Sequence, residues 1–346
     1  MKMTLNTTIK DVARHAGVST ATVSLVIHNN SRISSETKRK VLKSIKTLNY
    51  YPSNSARNLV TKRTGNIGFI LTEDHFLRTE PFYTRIFLGT EFEARFGEYY
   101  VLLSTIESDF NKDDTLPRFI LEKNVDGVII AGKVSQNLIE RILEFKIPIT
   151  FVDYEYSLKC CSNVLIDNVE GGIIATNHLI DLGHTSIGYI AGDIKHPSLY
   201  QRFNGYKQAL DIASIPFNES AVEINTFYPD RQNGYESTKK LIENNKDVTS
   251  IFACNDAMAI GAMHYLKDNG YKIPEDISII GFDDVEADLL LDPPLTTIRV
   301  PKIELGAEAF RTMIGYLKNK TIPKKILVPV ELILRSSTIA PISRKT

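Results

Sequence analysis

The chain lacks several things, and each absence removes a class of protein. It has no tryptophan, and its three cysteines, Cys160, Cys161 and Cys254, form no spaced framework. An odd, unspaced set argues against a disulfide-stapled secreted fold, and the adjacent Cys160 and Cys161 are not expected to pair. No apolar run is long enough to cross a bilayer, and the polar stretch Met1 to Lys10 holds no signal-peptide core, so the cytoplasm is the expected compartment. There is no G-x-G-x-x-G and no HExxH, and the seven histidines show no metal-ligand spacing. No cofactor is expected. One enzyme-like string exists, Gly127 to Lys133, which fits G-x4-G-K. Val134 stands where such a loop needs Ser or Thr for magnesium, and the intervening residues are as apolar as a buried strand, so a phosphate loop and an enzyme are not expected. Cys254 has no paired base evident in the sequence and reads as a buried strand-end residue.

What is present is 346 residues, 43% hydrophobic, enough for two or three globular domains. Net charge is zero, but the total hides an asymmetry. Up to Arg63 there are twelve Lys/Arg against two acids, a balance of +10, and the remainder carries −10. A basic head on an acidic body is the electrostatic footprint of a protein that meets a polyanion.

The head, residues 1–51, reads as three short helices. Thr8 precedes the periodic run Ile9, Val12, Ala13, Ala16, with Asp11 at capping-box spacing. Gly17 ends that helix, and Ser19 caps a second with Val23, Val26 and Ile27 on its buried side. A third, from about Ser35 to Leu48, turns Val41, Ile45 and Leu48 inward and Lys38, Arg39, Lys40, Lys43 and Lys46 outward. Helix, glycine turn, helix is the helix-turn-helix layout, an all-α head whose second helix enters a major groove. Thr20, Ala21 and Leu25 are free to meet base edges, with Thr22 and Ser24 near phosphates. Arg32, in the following loop, reaches the groove or the backbone. Thr8, Ser19, Tyr50 and Ser53 complete the candidate DNA contacts here.

The run Thr8-Ile9-Lys10-Asp11-Val12-Ala13-Arg14-His15-Ala16-Gly17-Val18-Ser19-Thr20-Ala21-Thr22-Val23-Ser24 resembles the N-terminal signature of the LacI/GalR family of bacterial transcription regulators. The resemblance continues through Leu48-Asn49-Tyr50-Tyr51-Pro52-Ser53 and Ala56-Arg57-Asn58-Leu59. It implies that residues 52–63 are a hinge helix that enters the operator minor groove beside its dimer mate. Leu59 would wedge into the central base step, and Ala56 and Arg57 would line the groove. Taken alone, the stretch is too short to be a stable helix in water, so something must hold it. An apolar wedge costs roughly a few kcal/mol of unstacking, offset by added contacts, and a pyrimidine–purine step yields most readily. Ala21, Leu25 and His28 depart from the polar residues common in the family, so direct base readout is expected to be thin.

The body, residues 64–346, alternates apolar strand runs with amphipathic stretches, the pattern of parallel α/β sheets. It divides near Asp167 into two similar halves. The expected lobes are about 64–167 plus 299–324, and about 168–298 plus 325–340. The resemblance implies the two-lobed fold of a type I periplasmic binding protein. It rests here on Asp167-Asn168 with Gly171-Gly172, Gly188 to Gly192, Arg202 to Tyr206, Cys254 to Gly261 and Gly281 to Asp284. Two wound lobes enclose a cleft at the carboxyl ends of their strands. Candidate effector contacts are Arg202, a planar fork of donors, and Asp283, a bidentate acceptor. To these we add Asn255, aromatic walls from Phe82 and Tyr83 and from Phe227 or Tyr228, and Ser198 and Asp153. Such a set suits a sugar and also a purine, and family frequency favours the sugar. Lys195 and His196 keep a sugar phosphate open, and a protein corepressor is a further alternative.

The expected protein is a homodimeric, operator-binding repressor acting on a near-palindromic site, its DNA affinity changed by a small molecule in the body. The tail from Ile339 has no heptad leucines, so a tail-driven tetramer is not expected.

Overall fold

The computed structural model describes residues 7–27, 32–50, 63–76, 81–320 and 322–342. They fall into two compact units, Met1–Gly65 and Asn66–Thr346.

In the first unit the helices are Ile9–Ala16, Thr20–Ile27 and Ser35–Thr47. The Asp11 carboxylate accepts from the Thr8 N–H at 3.0 Å and from its hydroxyl at 2.6 Å, tying down the first turn. Gly17 sits at φ +67°, a left-handed position that lets the Val18 N–H reach back to the Ala13 carbonyl at 3.0 Å. Ser19 Oγ accepts from the Thr22 N–H at 3.1 Å and starts the second helix. The core is Val12, Ala13, Val23, Val26, Val41 and Tyr50. Ile27, Ile45 and Leu48 only flank it. Ser44 fills a buried slot instead, because its hydroxyl bonds the Lys40 carbonyl at 3.0 Å and His15 Nδ1 at 2.9 Å.

The second unit is built on two six-stranded sheets. The first holds β1 (Asn66–Thr72), β2 (Tyr100–Ile106), β3 (Gly127–Ala131), β4 (Ile149–Val152), β5 (Ser162–Ile166) and β11 (Lys325–Val328), in the order β11-β5-β4-β3-β1-β2. The second holds β6 (Ile187–Ala191), β7 (Val222–Ile224), β8 (Ser250–Ala253), β9 (Ser278–Asp283), β10 (Thr296–Arg299) and β12 (Glu331–Ile333), in the order β12-β10-β9-β8-β6-β7. Every pairing is parallel except β10 with β12. The chain passes between the sheets after β5, after β10 and after β11. Gly127–Ala131 is a strand with all five residues buried, which closes the phosphate-loop reading. β7, half-buried throughout, carries too weak an apolar pattern to be found from sequence.

One boundary needs correction. The expected second lobe took in 325–340, but 325–328 pairs with 163–166 in the first sheet. The apolar run 325–334 is two short strands on different sheets, and hydrophobicity alone does not mark the sheet change between them. Only from β12 onward does the chain lie on the second sheet, where Ile279 N–H donates to the Ser337 carbonyl at 2.8 Å.

Candidate functional site

The carboxyl ends of strands from both sheets converge on one cleft of about 850 Å³. From the first sheet come Thr72 at the end of β1, Lys133, Val134 and Ser135 after β3, and Asp153 after β4. From the second come Asp193 after β6, Asn255 after β8 and Asp283 at the end of β9. The helix starting at Phe82 supplies Phe82 and Tyr83, and the loop after β7 supplies Phe227 and Tyr228.

Arg202 lies in the Pro197–Ile212 helix and is 5% exposed. Its Nε donates to Asn168 Oδ1 at 2.9 Å and its Nη1 to the Cys254 carbonyl at 2.7 Å, and its plane covers the Phe282 ring at 3.6 Å. Three sides of the guanidinium are thus held. Its Nη2 stands 3.6 Å from Asp283 Oδ1. Two of the cleft aspartates occupy positive-φ backbone, Asp153 at φ 63° and Asp283 at φ 125°, a costly geometry that aims side chains at functional sites. Asp153 Oδ2 accepts from the Tyr83 hydroxyl at 2.8 Å. Behind Asp283, Lys302 Nζ donates to the Asp283 and Asp284 carbonyls. Burial pushes the Asp283 carboxyl up to about 7, while Arg202 pulls it down. Asp283 Oδ1 and Thr72 Oγ1 are buried atoms of cleft-lining residues with no hydrogen-bond partner among the described residues. A buried acceptor and a buried hydroxyl left open, one from each sheet, are groups a polar ligand would satisfy.

All nine residues singled out for the cleft, Phe82, Tyr83, Asp153, Ser198, Arg202, Phe227, Tyr228, Asn255 and Asp283, line this one cavity. Their situations differ. Asn255 Oδ1 caps the Asp256–Asp268 helix at Met258 N–H, 2.8 Å, and its Nδ2 holds the Pro229 carbonyl at 2.9 Å, so much of it is structural. Tyr83 is 5% exposed, whereas Phe227 is 64% and Tyr228 48% exposed on the rim. Sequence reasoning missed Thr72, Asp74, Lys133, Asp193, Asp230 and Gln232 as lining residues. Thr72, Lys133 and Asp193 each lie within two residues of a strand's carboxyl end, a position that could have marked them.

In the head, Thr8, Ser19, Thr20, Ala21, Leu25 and Arg32 are exposed, and Thr22 and Ser24 half-exposed. Tyr50 stands apart: it is 9% exposed and belongs to the head's core, because it closes the end of the third helix. The hinge candidates Ser53, Ala56, Arg57 and Leu59 lie outside the described residues, as does His28. Among the described residues no group of His, Cys, Asp or Glu is placed to hold a metal, and no helix is long and apolar enough to cross a membrane.

A helix-turn-helix head and a two-sheet cleft on one chain define a ligand-responsive DNA-binding regulator. Residues 8–53 match the bacterial regulatory proteins of the lacI family, and residues 176–338 match the periplasmic binding protein-like domain. The HTH-type transcriptional repressor PurR of Pasteurella multocida is 34% identical over 333 residues, 95% of this chain and 98% of the relative. The HTH-type transcriptional regulator DegA of Bacillus subtilis is 36% identical over 339 residues, covering 96% and 98%. Among solved structures, the lac repressor dimer bound to operator and the anti-inducer ONPF superposes with a TM-score of 0.79 at 27% identity, covering 97% of this chain and all of that one. The CelR–cellobiose complex does so with a TM-score of 0.71 at 28% identity, covering 96% and 100%.

The chain belongs to the lacI family of bacterial transcription regulators. It is a DNA-binding transcriptional repressor regulated by a small-molecule effector, and its relatives are repressors rather than enzymes.

Proposed function

We propose that two copies form a homodimer in the bacterial cytoplasm, that the paired heads and hinges read a near-palindromic operator, and that the effector is a neutral sugar held in the cleft. The observation that carries the sugar reading is the pair of open polar atoms in one cleft, Asp283 Oδ1, 3.6 Å from Arg202 Nη2, and Thr72 Oγ1 from the other sheet. A carboxylate accepts from two neighbouring hydroxyls, and Arg202 donates to others, which is how a polyol is recognised. Five aspartates line the cavity, Asp74, Asp153, Asp193, Asp230 and Asp283, and they disfavour a phosphorylated ligand even with Lys133, Lys195, Arg202 and Arg231 present. A purine is the second reading, favoured by the exposed Phe227 and Tyr228 rings on the rim, which suit stacking.

Ligand that prefers one arrangement of the two lobes shifts the spacing of the two hinges. Such coupling is typically worth about 1–3 kcal/mol in operator affinity. Both release of DNA by ligand and promotion of binding fit this scheme.

The test is a thermal-shift screen of mono- and disaccharides, sugar phosphates and nucleobases, with hits repeated in a gel-shift assay. A sugar should raise the melting temperature and change operator affinity. Arg202→Ala should keep DNA binding and lose the ligand response. Hits confined to nucleobases would replace the sugar with the purine, and a full response in Arg202→Ala would remove Arg202 from the site.

A further inference from the structure

One pair of cysteines lies outside the head and does not line the cleft. The loop joining β4 to β5 ends in a tight turn in which the Cys161 N–H donates to the Leu158 carbonyl at 3.1 Å. The turn leaves Cys160 exposed and folds Cys161, 5% exposed, into the core of the first lobe. Their Sγ atoms lie 3.6 Å apart, so the two thiols already face one another although the residues are adjacent.

We propose that Cys160 and Cys161 form a reversible thiol–disulfide pair, oxidised by low-molecular-weight disulfides, on the loop that carries the cleft residue Asp153. The Cys160 thiolate attacks one sulfur of the small disulfide. That S–S bond breaks, one small thiolate leaves and takes up a proton, and a mixed disulfide remains on Cys160. The Cys161 thiol then loses its proton and attacks Cys160 Sγ, and the second small thiolate leaves. Two cysteine thiols have given up two electrons and two protons, and the small disulfide has become two thiols.

The order follows from access. Cys160 meets solvent and Cys161 does not, and burial, with Cys160 alongside, pushes the Cys161 thiol up to about 12. Reversibility follows from adjacency. Consecutive Cα atoms are about 3.8 Å apart, below the roughly 4.4–6.8 Å of ordinary disulfides, so the eight-membered ring is strained and readily reduced. The same strain rules out a permanent bridge.

The loop is in contact with the cleft. Asn163 clamps Tyr156, accepting from its N–H at 3.0 Å and donating to its carbonyl at 3.1 Å. The Tyr156 hydroxyl bonds both the N–H and the carbonyl of Val134, at 2.9 and 2.7 Å, and Val134 lines the cleft. The Tyr154 ring meets His196 of the opposite lobe edge-on at 5.4 Å. Ring closure at 160–161 therefore acts on a segment already braced against the cleft wall.

Full-length protein is equilibrated in glutathione/glutathione disulfide buffers, acid-quenched, alkylated in denaturant and mapped by mass spectrometry. The peptide holding both residues should lose two hydrogens and both alkylation sites, and reduced glutathione should restore them. Cys254, fully buried, should stay alkylatable throughout. Cys161→Ser should stop at the mixed disulfide on Cys160. A wild-type protein that accumulates this mixed disulfide with Cys161 still free would overturn the proposal, as would no thiol loss in the most oxidising buffer.

Discussion

Asp283 is a carboxyl buried beside a guanidinium that is itself committed elsewhere. Arg202 bonds Asn168 and the Cys254 carbonyl and lies over Phe282, so its charge reaches Asp283 Oδ1 only at 3.6 Å. Desolvation therefore wins, and the carboxyl rises from its ordinary 3.8 to about 7. A raised carboxyl makes the folded state the stronger proton binder. Its contribution to stability is greatest in acid and is lost as pH climbs through the window from 3.8 to about 7. Asp283→Asn should thus gain on the wild type between about pH 4 and about pH 7, by a few kcal/mol at most, as read in thermal denaturation. A melting-temperature difference that stays constant with pH would show an ordinary carboxyl there. A second acid pair behind the cleft has another arrangement. Asp256 and Asp288 are both fully buried and bonded to each other, with Thr297 Oγ1 donating to Asp256 at 2.6 Å and Val285 N–H to both acids. Burial and Asp256 push Asp288 up to about 10, so this pair holds a shared proton rather than two charges.

At the scale of elements, the position of Arg202 depends on how closely two helices approach. The Asn168–Asp181 and Pro197–Ile212 helices meet at Gly172 and Gly205. A Cβ on Gly205 would run into the Val169 carbonyl, and one on Gly172 into the Arg202 carbonyl, both backbone atoms that have no rotamer to escape through. This contact brings Asn168 within reach of Arg202. Gly205→Ala should force the helices apart, destabilise the body by about 1–3 kcal/mol and weaken the ligand response while leaving the head able to bind DNA. Denaturant titration beside gel shifts would check it; an unchanged ligand response would separate the helix contact from the site. The Gly171-Gly172 and Asn204-Gly205 motifs were legible in the sequence, but their meaning, a backbone-to-backbone contact, was not.

For the whole molecule, the dominant long-range feature is charge. The +10 of the first 63 residues against −10 in the rest keeps the body from competing for the phosphates the head attracts. Operator affinity should fall by roughly 10³-fold or more between about 50 and about 200 mM salt, because each phosphate contact releases counterions. Fluorescence anisotropy across a salt series measures this, and a flat profile would contradict the basic-head argument. Three passages of the chain between the sheets, after β5, β10 and β11, mean that neither lobe is a continuous segment. A change in the cleft is therefore carried by three connections rather than one.

Local chemistry is what the sequence determined by itself. The Thr8–Asp11 cap, the Gly17 turn, the apolar strand runs and the charge split all depend on neighbours in the chain, and each was readable there. Arg202 and Asp283 were readable because motifs surround them. The tertiary structure decided which distant residues share a surface. It took 325–328 from the second lobe and gave it to the first sheet, because strand pairing depends on the space beside β5 and not on the run's own hydrophobicity. It placed Tyr50 in the head's core, where the end of the third helix needed a lid. It brought Thr72 and Asp283, far apart in the chain, to one cleft with their oxygens open, because parallel strands in two sheets direct their carboxyl ends to the same place. Convergence of that kind is a property of topology, which single-residue pattern does not encode.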